Sequence, residues 1–180
     1  MPAPSEVVVV SGHMVDAPAR ERPRFPQSEV DRVTRDIRDV LARWEVGPGT
    51  TLVTGGARGA DIVAAEEARA RGARLRLVLA LEPDEFERRS VAIDGTDWAA
   101  RFRALLPQAE VEVVGGTDDE VFARTNQRII ELARELTPRP HAIVVWNGEK
   151  GDGPGGTSDF VARLEDIAGD ERIRVIDPKP

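Results

Sequence analysis

The sequence contains no cysteine. This absence excludes disulfide bonds, cysteine-ligated zinc, iron–sulfur clusters and thiol catalysis. Long apolar runs are missing as well: the longest, such as Val7 to Val10, have the length of a strand, whereas a membrane-spanning helix needs about 20 residues. The opening residues, MPAPSE, lack the basic and apolar regions of a secretory signal. We therefore expect a cytoplasmic protein with no membrane partner.

Basic residues are outnumbered by acidic ones. The chain has 25 Lys and Arg against 32 Asp and Glu, which gives a net charge of −7, and lysine occurs only at positions 150 and 179. Non-specific affinity for DNA depends on many contacts from Lys and Arg to phosphates. The charge balance therefore counts against a nucleic-acid partner.

Length and composition are typical of a soluble globular protein. Of the 180 residues, 41% are hydrophobic and 32% are charged. Because a domain usually contains about 100–200 residues, residues 1–180 are predicted to form a single domain.

Six short, β-branched runs alternate with segments of helical periodicity. The runs are largely apolar throughout, as expected for strands buried on both faces of a parallel sheet. This alternation predicts an α/β fold: a three-layer, Rossmann-like, doubly wound and mostly parallel sheet of about six strands. The predicted strands are Glu6–Val10, Thr50–Thr54, Arg74–Leu79, Val111–Val114, Ala142–Trp146 and Ile173–Ile176.

Apolar residues at helical spacing predict helices over residues 30–44, 61–71, 98–106, 121–136 and 157–167. Ser28 precedes the first of these in a pattern typical of a capping residue, and Gly72 is a predicted C-cap of the second. Residues 14–27 contain three prolines and three arginines. We predict a long loop there, of a kind that tends to be functional or mobile.

In open α/β sheets, ligands bind beyond the carboxyl ends of the strands. A glycine-rich segment, residues 54–61, lies at such an end and opens a helix. Glycines let the backbone approach an anion, and amides at a helix start point at it. We predict a phosphate- or nucleotide-binding loop; the alternative is a tight turn whose glycines only pack. The residues assigned to the loop are Gly55, Gly56, Ala57, Arg58, Gly59 and Asp61.

A second glycine-rich segment, residues 147–159, follows the fifth predicted strand. The amides of Gly155 and Gly156, together with the hydroxyl of Thr157, are predicted to bind an oxyanion or phosphate. For Thr157 and Ser158 the alternative is an ordinary helix N-cap.

Two shorter groups complete the predicted site. Ser11, Gly12 and His13 follow the first strand, where Gly12 permits close approach of a ligand and the other two contact a base, ribose or phosphate. For His13, binding or structure is favoured over general-base catalysis. Arg124 and Asn126 are predicted to reach the ligand from one face of a helix, with a solvated surface as the alternative.

The segment Gly55–Asp61, the Arg124-x-Asn126 helix and the run Pro154–Thr157 together resemble the SLOG superfamily, which unites the Smf/DprA DNA-processing proteins with the LOG phosphoribohydrolases. The similarity is greatest to small nucleotide-binding domains of the YspA and YpsA type, which recur as sensors in bacterial conflict systems. It covers nearly the whole chain in the same motif order. The resemblance implies a Rossmann-like domain whose two glycine loops hold phosphate or ribose above residues 11–13.

One motif departs from the LOG pattern. LOG-type hydrolases carry Pro-Gly-Gly-x-Gly-Thr-x-x-Glu, in which the glutamate serves cleavage of the N-glycosidic bond. Here the run is Pro-Gly-Gly-Thr-Ser-Asp, which leaves Asp159 as the candidate catalytic carboxylate. The resemblance therefore favours a module that binds a nucleotide or an ADP-ribose-like derivative as a ligand sensor. The alternative is a LOG-like nucleoside 5′-monophosphate phosphoribohydrolase.

No cofactor is predicted, and no metal, because Glu149, Asp152 and Asp159 do not follow the EF-hand spacing. The expected partner is a small-molecule nucleotide. The resemblance also makes a homodimer the expected assembly, and DNA binding in the manner of Smf/DprA is a third possibility, against which the acidic charge counts.

Overall fold

The computed structural model describes residues 6–151, 153–164 and 170–179. The strands are β1 Glu6–Gly12, β2 Thr50–Thr54, β3 Arg74–Leu79, β4 Ala109–Val113, β5 His141–Val145 and β6 Ile173–Ile176. The helices are α1 Val30–Arg43, α2 Ala60–Ala70, α3 Pro83–Phe86, α4 Trp98–Leu105, α5 Val121–Leu136 and α6 Thr157–Leu164. The strands form a parallel sheet in the order β4-β3-β2-β1-β5-β6.

The central strand shows why the sheet is covered on both sides. In β1, Val8 and Val10 belong to the core that includes α1 and α2, whereas Val7 and Val9 belong to the core that includes α5 and α6. All four side chains are at most 1% exposed. Burying one such side chain is worth about 1.5–3 kcal/mol, so an apolar run stabilises a strand between two helical layers. The predicted three-layer, Rossmann-like fold is confirmed.

The strand order places a topological switch point between β1 and β5. From β1 the chain adds β2, β3 and β4 on one side, and α5 then returns it to β5 on the other side. The connections after β1 and β5 consequently leave toward opposite faces and open a crevice at the carboxyl edge of the sheet. Gly12 pairs with Val145 at this edge.

Several predicted boundaries differ from the structure. β1 continues through Ser11 and Gly12, because both residues extend the backbone ladder with β5 although neither is strongly apolar. β4 and β5 begin one or two residues earlier than predicted. The capping role predicted for Ser28 is wrong: Ser28 lies in a 3-10 turn, and Glu29 is the N-cap of α1. Ile167 of the predicted last helix lies outside the described residues.

One helical segment has no counterpart in the prediction. α3 begins at Pro83 and continues as a π-helical turn over Glu87–Val91. Proline followed by acidic residues is a helix-start signal, but the segment is too short to show apolar periodicity. It buries Phe86 and Val91 in the core.

The loop between β1 and α1 is tied to the rest of the molecule. The carboxylate of Asp16 accepts hydrogen bonds from the amides of Arg24 at 2.9 Å and Phe25 at 3.0 Å. The ring of Phe25 is fully buried. These contacts order part of the segment that was predicted to be functional or mobile. Within the described ranges, every helix is too short or too polar to cross a bilayer.

Candidate functional site

A cavity of about 310 Å³ opens at the switch point, at the small end of the size range of ligand sites. Ten predicted site residues line it: Ser11, Gly12, His13, Gly55, Ala57, Asp61, Asn126, Gly155, Gly156 and Thr157. The described lining does not include the six others, Gly56, Arg58, Gly59, Arg124, Ser158 and Asp159. Four segments far apart in sequence thus meet at one edge of the sheet, as their positions after the strands predict.

The first glycine segment folds around the carboxyl group of Asp61. Oδ2 of Asp61 accepts a hydrogen bond from the amide of Ala57 at 3.1 Å. The amide of Arg58 donates to the carbonyl of Ser90 at 3.0 Å. A Cβ at Gly55 would stand 3.2 Å from Oδ2, so the glycine leaves room beside the carboxyl group. The segment therefore uses two of its amides inside the protein.

Asp61 itself is buried and only partly hydrogen-bonded. It is 8% exposed, and among the atoms that the structure describes its Oδ1 is buried without a hydrogen-bond partner. The hydroxyl of nearby Thr54 donates instead to the carbonyl of Val10, at 2.9 Å. Burial raises the pKa of Asp61 to about 7, although the amide of Ala57 and the nearby hydroxyl of Thr54 act in the opposite direction. This carboxyl is short of a hydrogen-bond donor.

Packing accounts for Gly59. Its φ is 97°, and a Cβ there would stand 2.9 Å from the amide nitrogen of Val15. Glycine is required because the loop after β1 crosses α2 at this point. Gly59 therefore fits the alternative prediction of a tight turn whose glycines only pack. The neighbouring Gly55 and Ala57, in contrast, line the cavity.

Arg58 is directed toward the loop after β1. Its Nε donates to the carbonyl of Val15 at 2.8 Å, and burial lowers its pKa. The arginines that line the cavity are instead Arg24 and Arg89. The guanidinium of Arg89 pairs with Asp119 at 3.3 Å and lies 5.4 Å from the centre of the Phe122 ring.

Neither lining arginine is among the site residues predicted from the sequence. A signal existed for Arg24, since the 14–27 loop contains three arginines close to a strand end. Arg89 belongs to the helical segment that begins at Pro83, and finding it required recognising that helix start. The same segment supplies Phe86 and Ser90 to the lining.

Asn126 of α5 holds the second glycine segment. Its Nδ2 donates to the carbonyl of Gly155 and to Oδ2 of Asp159, both at 2.9 Å, with the carbonyl of Gly156 at 3.3 Å. Gly155 has a φ of 77°, and a Cβ there would overlap the backbone of α5. Because the carbonyl and N–H groups of a trans peptide point in opposite directions, the amides of Gly156 and Thr157 point away from Asn126.

The candidate catalytic carboxylate is engaged outside the cavity. Oδ2 of Asp159 accepts hydrogen bonds from Asn126 and from Nε of Arg163, one helical turn later, at 3.0 Å. These contacts fix the start of α6. Arg124 is also directed elsewhere: it pairs with Asp118 at 3.1 Å, and its hydrogen bond lowers the pKa of Asp118. Asp152, once considered for a metal, lies outside the described residues.

His13 presents an uncharged ring to the cavity. Its Nε2 lies 2.8 Å from Oδ1 of Asn147, which also accepts the amide of Glu149 at 3.1 Å. Because Oδ1 of Asn147 accepts from the Glu149 amide, this atom is the side-chain oxygen and can only accept. The hydrogen between it and His13 therefore resides on Nε2 of His13. Burial lowers the pKa of His13, so the ring is neutral at pH 7 and its Nδ1 is an acceptor.

Neither a family model nor a curated protein matches this sequence. Among solved structures, the chain is similar to TM1055, a structural-genomics target, with 17% identity, a TM-score of 0.45 and coverage of 87% of this chain and 66% of that one. It is also similar to DNA processing protein A from Helicobacter pylori, described for its single-stranded DNA binding mode (15% identity, TM-score 0.45, coverage 95% and 75%). The same protein from Streptococcus pneumoniae has 13% identity, a TM-score of 0.43 and coverage of 96% and 58%.

These solved structures share between 13% and 17% of their residues with this chain, and their TM-scores lie between 0.43 and 0.45. At such identities and TM-scores, they assign this chain neither a ligand nor an activity.

Proposed function

We propose that this protein binds a nucleotide or a nucleotide derivative, such as a nucleoside phosphate or an ADP-ribose-like molecule, in the switch-point cavity. One observation carries the proposal: the glycine-rich start of α6, two arginines and an apolar wall all face the same cavity. An anionic group and a flat ring joined in one molecule match these surfaces.

The start of α6 suits the anionic part of such a ligand. Gly155, Gly156 and Thr157 line the cavity there, and the first amides of a helix, together with its dipole, attract anions. Arg24 and Arg89 line the same cavity, where guanidinium groups form charge-assisted hydrogen bonds to phosphate.

The apolar wall suits the base. Ala80, Phe86, Phe122 and Ile129 line the cavity, and flat aromatic groups pack well on aromatic and aliphatic side chains. A free phosphate ion has no apolar part that could pack on this wall, whereas a nucleotide has its base.

The geometry favours a binding module, and hence a ligand sensor, over a hydrolase. Asp159 is hydrogen-bonded to Asn126 and Arg163 outside the described lining. Cleavage of an N-glycosidic bond requires a carboxylate that is held at the reacting carbon or its attacking water. A homodimer in the cytoplasm is the setting that we propose for this sensor.

Titration calorimetry with nucleoside monophosphates, cyclic nucleotides, NAD and ADP-ribose tests the proposal. We expect at least one of them to bind and to be recovered intact by chromatography. Arg89→Gln should weaken this binding by about 10-fold through the loss of a charge-assisted bond. Arg88→Gln removes the same charge from an exposed neighbour outside the described lining and should change affinity by less than about twofold.

Binding by no member of the panel would overturn the proposal. If the two arginine substitutions change the affinity equally, the proposed anion site at Arg89 is wrong. Release of free base would show that the protein is a hydrolase and would make Asp159→Asn the next variant.

A further inference from the structure

The two ends of the cavity differ in the hydrogen-bonding groups that they offer a ligand. At the first glycine segment, the amides of Ala57 and Arg58 are already bonded to Asp61 and Ser90. The side chain of Arg58 is bonded to the loop after β1. Two amides and the guanidinium of this segment, which could otherwise bind a phosphate, consequently donate to protein groups instead.

The same end holds an acceptor instead. Oδ1 of Asp61 is, among the described atoms, buried without a partner, and the residue is more than nine-tenths buried in the wall of the cavity. On this side Gly55 leaves room beside the carboxyl group, since a Cβ there would stand 3.2 Å from the other oxygen, Oδ2. A buried acceptor without a donor destabilises the protein, because it has lost its hydrogen bonds to water, and a ligand that brings a donor removes this cost. At pH 8, above its pKa of about 7, Asp61 is a carboxylate and would repel a phosphate placed here.

In the proposed function, the phosphate and the base of the nucleotide occupy other parts of the cavity. The start of α6, Arg24 and Arg89 suit the phosphate, and the apolar wall formed with Phe86 and Phe122 suits the base. The sugar is the part that remains for the Asp61 end. Its hydroxyl groups are hydrogen-bond donors.

We propose that Asp61 binds a ribose hydroxyl of the ligand through Oδ1, so that the natural ligand is a ribonucleotide whose phosphate lies at the start of α6 rather than at the Gly55–Gly59 segment. This inference rests on the proposed function. It assigns the recognition of the sugar to the carboxylate of Asp61 and not to the glycines of the first glycine segment.

A comparison of matched ligands on two forms of the protein tests the assignment. Wild type and Asp61→Asn are titrated at pH 8 with AMP, 2′-deoxy-AMP, 3′-deoxy-AMP and IMP, or with the same set built on whichever base binds more tightly. Wild type should bind the ribonucleotide about 10- to 100-fold more tightly than at least one deoxy analogue, as expected for a hydrogen bond to a charged group. In Asp61→Asn this preference should fall below about threefold, while the affinity for that deoxy analogue is retained.

Asp39→Asn is the matched control, since it removes one carboxylate from an exposed position on α1 and should keep the wild-type preference. If wild type binds ribonucleotide and deoxynucleotide equally, or if Asp61→Asn weakens both to the same extent, the assignment is wrong although the proposed function stands. If Asp61→Asn changes the ratio of AMP affinity to IMP affinity and leaves the ribose preference unchanged, a base amino group lies at Asp61. This result would also overturn the assignment. If no nucleotide binds, and neither does NAD or ADP-ribose, the proposed function fails and this inference fails with it.

Discussion

Because Asp61 is buried in the wall of the cavity, its carboxyl group makes the stability of the protein depend on pH. The folded protein holds the pKa of this carboxyl at about 7, above the ordinary value of 3.8 that applies to the unfolded chain. Between these values the folded state binds a proton that the unfolded state has released. The resulting stabilisation is complete below pH 3.8 and is lost as the pH rises through 7.

Replacing Asp61 with Asn should abolish this pH dependence. Between pH 5 and pH 8 we expect the wild type to lose about 2–3 kcal/mol of unfolding free energy relative to Asp61→Asn. Urea denaturation of both proteins at several pH values measures the difference. The exposed Asp39→Asn variant should differ from wild type by a constant amount, and a constant difference for Asp61→Asn would contradict the raised pKa.

At the scale of elements, Gly12 shows that a residue in the cavity wall also has a packing role. A Cβ at Gly12 would stand 2.6 Å from the Cβ of Ala60 and 2.8 Å from the carbonyl oxygen of Val145. The start of α2 and the end of β5 approach β1 closely here, and such an approach has no room for a methyl group.

We predict that Gly12→Ala destabilises the protein by about 1–3 kcal/mol, the usual cost of overpacking. Gly49→Ala is the control, since a Cβ there would have nothing within 4 Å, and its effect should stay within about 0.5 kcal/mol. Urea denaturation at pH 8 compares the two. Equal stabilities would mean that β1, β5 and α2 do not pack as described.

Asn126 connects α5 with the start of α6. Removing its side chain in Asn126→Ala takes the Asn126 donor from the carbonyl of Gly155 and leaves the carboxylate of Asp159 with the bond from Arg163. We expect a loss of about 1–3 kcal/mol in stability and faster amide hydrogen exchange in α6. Gln127→Ala, at the exposed neighbouring position, should change neither, and equally fast exchange in both variants would contradict the connecting role of Asn126.

The elements and the edge that carries the site could be predicted from the sequence, whereas the direction of individual side chains could not. Apolar runs such as Val7–Val10 define buried parallel strands, and segments that follow such strands meet at one edge. Arg58 and Asp159 have the right chemistry for a ligand site, but packing directs Arg58 to the carbonyl of Val15, and Asp159 pairs with Arg163 within its own helix. Local sequence also conceals the helical segment that brings Arg89 to the cavity, because it is too short to show a period.

Across the whole molecule, the cavity depends on contacts between distant parts of the chain. The hydrogen bond from His13 to Asn147 spans 134 residues and joins the ends of β1 and β5. The net charge of −7 gives the surface no general attraction for polyanions, so the proposed anion recognition depends on local groups at the switch point. The helix start, the arginines and Asp61 are such groups.

The most direct test is a crystal structure of the protein with the tightest-binding nucleotide of the panel. We predict that the ligand fills the switch-point cavity, with its phosphate at the amides of Gly156 and Thr157 and a ribose hydroxyl within hydrogen-bond distance of Oδ1 of Asp61. A phosphate bound at the Gly55–Gly59 segment would contradict the orientation. A nucleotide bound outside this cavity would contradict the account as a whole.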